Sequence, residues 1–185
     1  MMSAVPFLDL DFHFPRLAPF AKFNFAQTNY RVYVNDRRTG EPCVWFFGTT
    51  LGSPSVWIPR FCWRLPWHFA RYRADCRVEL QTGRCATYRI STDSKWAPAE
   101  IELNDTGVPV GQCDGFDHPE EVALVLTHPI DGYFRRQDGQ LGHYSVWHER
   151  MRMTTALPGR LWFGLFERLN LLSRAEMNEP HSVFL

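Results

Sequence analysis

Ala70–Gln81 reads ARYRADCRVELQ, and this stretch decides the fold class. Ala70, Tyr72, Ala74, Cys76, Val78 and Leu80 alternate with Arg71, Arg73, Asp75, Arg77, Glu79 and Gln81. Period two with one apolar and one charged row predicts an antiparallel strand that turns one face to water. Thr82-Gly83 follows as a turn signal, and Arg84–Thr92 is the expected hairpin partner.

Outward from there the same logic finds more strands. Tyr30, Val32 and Val34 alternate with Arg31 and Tyr33, while Cys43–Thr49 (CVWFFGT) is a continuous apolar run that predicts a strand buried on both faces. Ile101 and Leu103 alternate with Glu100 and Glu102. Tyr133–Gln137 and Leu141–Met151 flank Asp138-Gly139, a strong hairpin dipeptide. Two helices interrupt the pattern. Asp117 is a good N-cap before a helix running to about Leu126, and Arg160–Leu172 places Leu161, Leu165 and Leu169 on one helical face. The terminal HSVFL is strand-like. The expected class is α+β, mainly antiparallel β, with two short helices packed on a closed or partly closed sheet and a single domain over residues 1–185.

Composition narrows the function. The formal net charge is zero, so no global field recruits nucleic acid or an acidic membrane. On the strand quoted first, Asp75 and Glu79 offset much of the charge of Arg71, Arg73 and Arg77, which reads as a solvated, salt-bridged face and not a nucleic-acid footprint. No apolar run approaches a membrane span. Five cysteines (Cys43, Cys62, Cys76, Cys85, Cys113), odd in number and without C-x-x-C spacing, predict a reducing compartment with mostly buried free thiols. Phe7–Phe14 is broken by Asp9, Asp11 and His13 and does not read as a signal peptide, so the cytoplasm is expected. No H-E-x-x-H or Cys/His quartet is present, and no metal or other cofactor is expected. Aromatic residues make up 15% of the chain, which predicts an aromatic core or cavity wall.

The candidate site lies in Val56–Tyr72, VWIPRFCWRLPWHFARY. Pro59 and Pro66 forbid a central strand or a helix interior, so the chain is expected to bend there. Between the bends Arg60, Trp63, Arg64, Trp67 and His68 mix aromatic walls with polar handles, the make-up of a binding pocket, although aromatics beside proline also fill cores.

The runs NYRVYV (Asn29–Val34), VWFFGT (Val44–Thr49) and PRFCWRLPWHFARY (Pro59–Tyr72) resemble the bacterial family of unknown function numbered 2071, which groups with acetoacetate decarboxylase-like proteins. The resemblance implies a cone-like β-barrel around a small-molecule cavity, with Arg31, Arg60, Trp67 and His68 as pocket candidates. Trp63 and His148 join them as ligand-binding candidates from the residues themselves. The decarboxylase relatives carry a Lys-Lys pair after the proline that aligns with Pro66. Here those positions hold Trp67 and His68, and Phe61 stands where a glutamate is expected. The only lysines are Lys22 and Lys95, so the imine route lacks its amine. The N-terminal stretch is also short for the resemblance. A sheet left with an open edge makes a second copy of the chain one partner to consider.

Two functions follow as expectations. In one, the protein binds a small, partly apolar organic molecule, with a carboxylate suited to Arg60 or Arg31. In the other, it is an enzyme in which His68 serves as general acid/base on a small carbonyl or carboxylate compound. A structural or partner-binding subunit is the third class.

Overall fold

The computed structural model describes residues 1–14, 18–127, 131–145 and 153–185. The chain divides into two compact units, Met1–Arg71 with Pro129–Val146, and Tyr72–His128 with Trp147–Leu185. Strands dominate both and the helices are short, so the class is α+β.

The first unit is a six-stranded sheet in the order β1 (Met2–Phe14), β2 (Ala18–Asn35), β3 (Pro42–Leu51), β8 (Asp131–Arg135), β9 (Leu141–Ser145), with β4 (Trp67–Phe69) also paired to β3. The β1–β2, β2–β3 and β8–β9 ladders are antiparallel, whereas β3 pairs in parallel with both β4 and β8. β4 takes the Thr49–Leu51 end of β3, and β8 takes the Val44–Phe46 end. That double flank explains the CVWFFGT run. A strand with neighbours on both edges and cover on both faces has no reason to alternate, and Cys43, Val44, Phe46 and Gly48–Leu51 are all buried.

Two glycines let aromatic rings lie flat on this sheet. A Cβ on Gly132 would sit 2.6 Å from the Phe46 ring, and one on Gly142 would collide with that of Phe134. The Tyr144 ring packs against both phenylalanines, at centroid distances of 5.2 and 5.4 Å. These rings and Val44 form one buried cluster, and Phe25, Leu51 and Val56 with Trp67 form a second.

Between β3 and β4, the segment expected to bend at two prolines winds instead into a 3-10 turn at Pro54–Val56 and α1 (Trp57–Cys62). Pro59 falls in the first helical turn, where its missing N–H removes no intrahelical bond. Arg64 then adopts a left-handed φ of 59°, and Pro66 opens onto β4.

The second unit is a four-stranded sheet in the order β10 (Thr154–Phe163), β7 (Ala99–Pro109), β6 (Cys85–Asp93), β5 (Arg71–Val78). Ile101, Leu103, Ala156 and Leu161 form its core with Tyr88, Ile90 and Phe163. The hairpin expected at Thr82-Gly83 is present, with the Glu79 N–H donating to the Arg84 carbonyl at 2.8 Å and Gly83 at φ 70°. α2 (Pro119–Thr127) matches the expected first helix. The Glu121 carboxylate accepts from the Asp117 N–H at 2.9 Å, so the glutamate caps the segment.

Three expectations need correction. Residues 160–163 are strand, not helix: Arg160, Leu161, Trp162 and Phe163 pair with Glu102, Ile101, Glu100 and Ala99. Only α3 (Gly164–Arg168) is helical, and Asn170 at φ 53° ends the run before the capped α4 (Arg174–Met177). Cross-strand pairing outweighs a weak 3.6-residue pattern. Secondly, all five thiols are free but only Cys43 is buried, while Cys62 and Cys76 are exposed. Thirdly, among the described residues neither sheet closes on itself, since each ladder runs from one terminal strand to another. The HSVFL end does pair, with Thr154 and Leu185 exchanging two backbone hydrogen bonds. The proposed Leu141–Met151 strand is seen to Ser145, and the rest lies outside the described residues. Among those residues no helix is long and apolar enough to cross a membrane, which leaves strand-built membrane proteins unaddressed.

Candidate functional site

Cross-strand partners share a face of a sheet, so the pairing of the six-stranded sheet lays out its polar groups. Gln27, Asn29 and Arg31 succeed one another along one face of β2. Asn29 lies opposite Thr49, and Thr49 opposite Trp67. Arg31 lies opposite Ser3 on one side and, past a bulge in β3, opposite Phe46 on the other.

Arg31 is only 7% exposed. Its Nε donates to the Ser3 Oγ at 3.3 Å, and its guanidinium stands 5.3 Å from the centre of the Tyr33 ring. Burial pushes the Tyr144 phenol well above its ordinary pKa, and the charge of Arg31 opposes that rise. The phenol therefore stays neutral and able to donate. Farther along, the Thr49 hydroxyl donates to the Asn29 Oδ1 at 2.7 Å. The Gln27 Nε2 donates to the Asp9 Oδ2 at 3.2 Å, and burial raises the Asp9 pKa. Gln27 is itself 7% exposed, and its Oε1 is buried without a hydrogen-bond partner among the described residues. A buried amide oxygen with no donor costs about 1–3 kcal/mol, so this is a place where a donor is wanted.

The Arg60–His68 cluster lies on α1 and β4. The Arg60 Nη1 donates to the Trp67 carbonyl at 2.6 Å and approaches the His68 Nδ1 at 3.5 Å. An arginine only donates, so the contact suits an Nδ1 that carries no proton and leaves the proton on Nε2. The guanidinium also stands 5.8 Å from the centre of the Trp57 ring, so its aromatic neighbour is Trp57 and Trp63 lies exposed just past the end of α1. Gln137 fastens this loop, donating from Nε2 to the Leu65 carbonyl at 2.8 Å and from its backbone N–H to the Arg64 carbonyl at 3.1 Å.

The structure thus brings Arg60, Trp67 and His68 together and places Arg31 on the same sheet, one polar step from the Asn29–Thr49–Trp67 row. His148 lies outside the described residues. Sequence reasoning missed Gln27, Asn29, Thr49 and Tyr144. The signal was present for two of them, because Gln27 and Asn29 continue the period-two row of Arg31. Tyr144 reaches the site only through the β3–β8 pairing, which nothing local foretells.

Two depressions of about 300 and 310 Å³ open on the four-stranded sheet instead. Arg160 and Glu100 wall both, with Trp162 and Arg174 in the first and Arg89 and Asp75 in the second. Their charges are already paired, Arg160 with Glu100 at 2.7 Å and Arg89 with Glu102 at 2.8 Å. Among the described residues no His, Cys, Asp and Glu cluster suited to a metal ion is found.

Nothing among curated proteins or solved structures matches the chain. A family model does, over residues 1–185, under the description "Uncharacterized conserved protein", and the chain accordingly belongs to the family DUF2071.

Proposed function

We propose that the protein binds a small organic acid on the polar row of the six-stranded sheet, with Arg31 as the anchor for its carboxylate. The observation that carries this reading is the placement, on one face of β2, of a buried guanidinium and a buried amide oxygen, Gln27 Oε1, that has no donor among the described residues. Arg31 supplies the bidentate fork that a carboxylate fits, and Gln27 asks for a hydroxyl or amide hydrogen. Four strand residues span about 13 Å of backbone, which suits an elongated ligand carrying its acid at one end and its donor at the other. The aromatic rings of Phe46 and Tyr144 supply apolar walls beside the anchor.

A lysine-imine decarboxylation does not suit these residues. Trp67 and His68 stand where the amine pair is expected from the acetoacetate decarboxylase-like resemblance, and Lys22 and Lys95 are exposed. The same resemblance supports a partly closed, cone-like wrap of this open sheet around the polar row.

Native mass spectrometry of freshly purified protein tests the reading, with release and identification of any retained molecule. A retained organic acid that is lost in Arg31→Met supports it. A protein that never retains one, and whose melting temperature is unmoved by pyruvate or benzoate, removes it. A second reading, an enzyme with His68 as base, draws on the Arg60 contact at Nδ1. It requires that His68→Ala abolish turnover of the retained acid while sparing its binding.

A further inference from the structure

The open edge of the four-stranded sheet carries an interaction surface that is independent of the ligand reading. At the β10 edge the sheet is covered at Thr154–Ala156 by the chain's own end, through hydrogen bonds to Val183 and Leu185. At the other edge β5 has β6 as its sole strand neighbour among the described residues. The Glu79 N–H points inward, to the Arg84 carbonyl. Peptide groups of alternate residues in an antiparallel strand turn the same way, so Ala74, Cys76 and Val78 present theirs outward. The side chains of these three are exposed as well, Val78 at 57%. An uncapped edge with exposed apolar residues is a template for another strand.

The charges on β5 and the residue after it say which strand. Arg73, Asp75, Arg77 and Glu79 occupy alternate positions in the order plus, minus, plus, minus. An antiparallel pairing of β5 with a second β5 about a two-fold axis at Cys76 sets Asp75 against Arg77 and Arg73 against Glu79, each twice. No like pair arises. Ala74 then faces Val78 on the apolar side, and the outward peptide groups of Ala74, Cys76 and Val78 supply the ladder. Moving the axis to Asp75 sets Arg73 against Arg77 and Asp75 against itself. Moving it to Arg77 sets Asp75 against Glu79 and Arg77 against itself. Of these three registers the charge order favours the one centred on Cys76 and repels its two neighbours.

The rest of the sheet runs in the same sense. Arg160 on β10, Glu100 and Glu102 on β7 and Arg89 on β6 alternate in sign across the strands, and Asp75 follows next on β5, where its charge adds to the rise that Glu102 gives the Arg89 pKa. In the single chain Asp75 accepts from Arg77 two residues along its own strand, at 3.1 Å, and Glu79 accepts from the Thr82 hydroxyl. A basic group beyond Asp75 would continue the alternation, and Arg77 of a second copy occupies that place.

We infer that the protein forms a two-fold dimer by antiparallel pairing of β5 with β5 of a second copy, centred on Cys76.

Sedimentation of the full chain over a wide concentration range tests it with two charge reversals. Asp75→Arg sets arginines against arginines and Arg77→Asp sets aspartates against aspartates, and each should weaken dimerisation at least about tenfold. Mixing the two variants restores every opposite pair, so a heterodimer should form although neither variant pairs with itself. That rescue also shows that both variants are folded. A wild-type chain that stays monomeric throughout overturns the inference, as do single variants that dimerise like wild type or a mixture that remains monomeric.

Discussion

The six-stranded sheet takes polar groups under cover, among them Arg31, Gln27, Thr49 and Thr50, whereas the four-stranded sheet wears Arg89, Glu102, Glu100 and Arg160 on its open face. Both are built from strands with similar turn signals. What separates them is the consequence of removing a side chain. In the first sheet a substitution leaves a void or an unpaired buried group, and in the second it mostly returns a charge to water. Exceptions in the second sheet are Thr92, which is also buried, and Asp105, which is buried and accepts from the N–H groups of Cys85 and Gly107 and from the Thr154 hydroxyl.

The largest effect should come from Phe46→Ala, which removes a ring that is 3% exposed and uncovers Gly132. Loss of about 3–5 kcal/mol is expected in urea unfolding. Asp105→Ala should follow at about 2–3 kcal/mol, since it leaves several buried donors without an acceptor. Burial would by itself raise the Asp105 pKa, but those hydrogen bonds and the charge of Arg84 outweigh it and hold the carboxyl below its ordinary value. Its contribution is therefore complete above the unfolded carboxylate pKa of about 4 and is lost as pH falls through the lower folded value. A pH series of unfolding midpoints should show the wild type losing more stability in acid than Asp105→Asn does.

Gly142→Ala should cost about 1–3 kcal/mol, because the Phe134 ring must move off the strand. Gly40→Ala, which meets no neighbour, tests backbone strain alone. Asp9→Asn has the opposite sign from Asp105→Asn. Burial raises the Asp9 pKa, so its stability contribution is present in acid and is lost as pH rises through the raised value. The asparagine variant should gain on wild type at neutral pH and lose that advantage in acid, as read from melting temperatures. Arg89→Gln should be smallest, within about 1 kcal/mol, and the small effect should shrink further in high salt. If Arg89→Gln rivalled Phe46→Ala, the contrast between the sheets would be wrong.

Much of the fold was legible in local pattern. The Tyr30–Val34 alternation, the CVWFFGT run, the Thr82-Gly83 turn and Asp138-Gly139 each specify their own geometry through a few neighbouring residues. The cleanest alternation misled about burial. Ala74, Cys76 and Val78 look like a core row, yet they belong to an edge strand and are exposed. Alternation records which side a residue faces and not what covers that side. Leu161, Leu165 and Leu169 recur at helical spacing through Arg160–Leu172, and only the pairing of Arg160–Phe163 with β7 reveals the strand. In the site, the Arg60–His68 contact was within reach because α1 and β4 are close in sequence. Gln27 and Tyr144 were not, since one depends on an unmet hydrogen bond and the other on a distant strand.

The parallel pairing of β3 with β8 also fixes when the six-stranded sheet can be finished. The ribosome releases β3, the most apolar strand of that unit, long before Gly132–Phe134 exist to cover its Val44–Phe46 end. β4 arrives early but protects only Thr49–Leu51. From the emergence of β3 until that of β8, then, the Val44–Phe46 end of CVWFFGT presents a bare hydrophobic edge, and residues 72–128 between β4 and β8 belong to the other unit. Such long-range closure slows folding and exposes sticky intermediates. The nascent chain should therefore depend on chaperones most heavily in the interval between the emergence of β3 and that of β8.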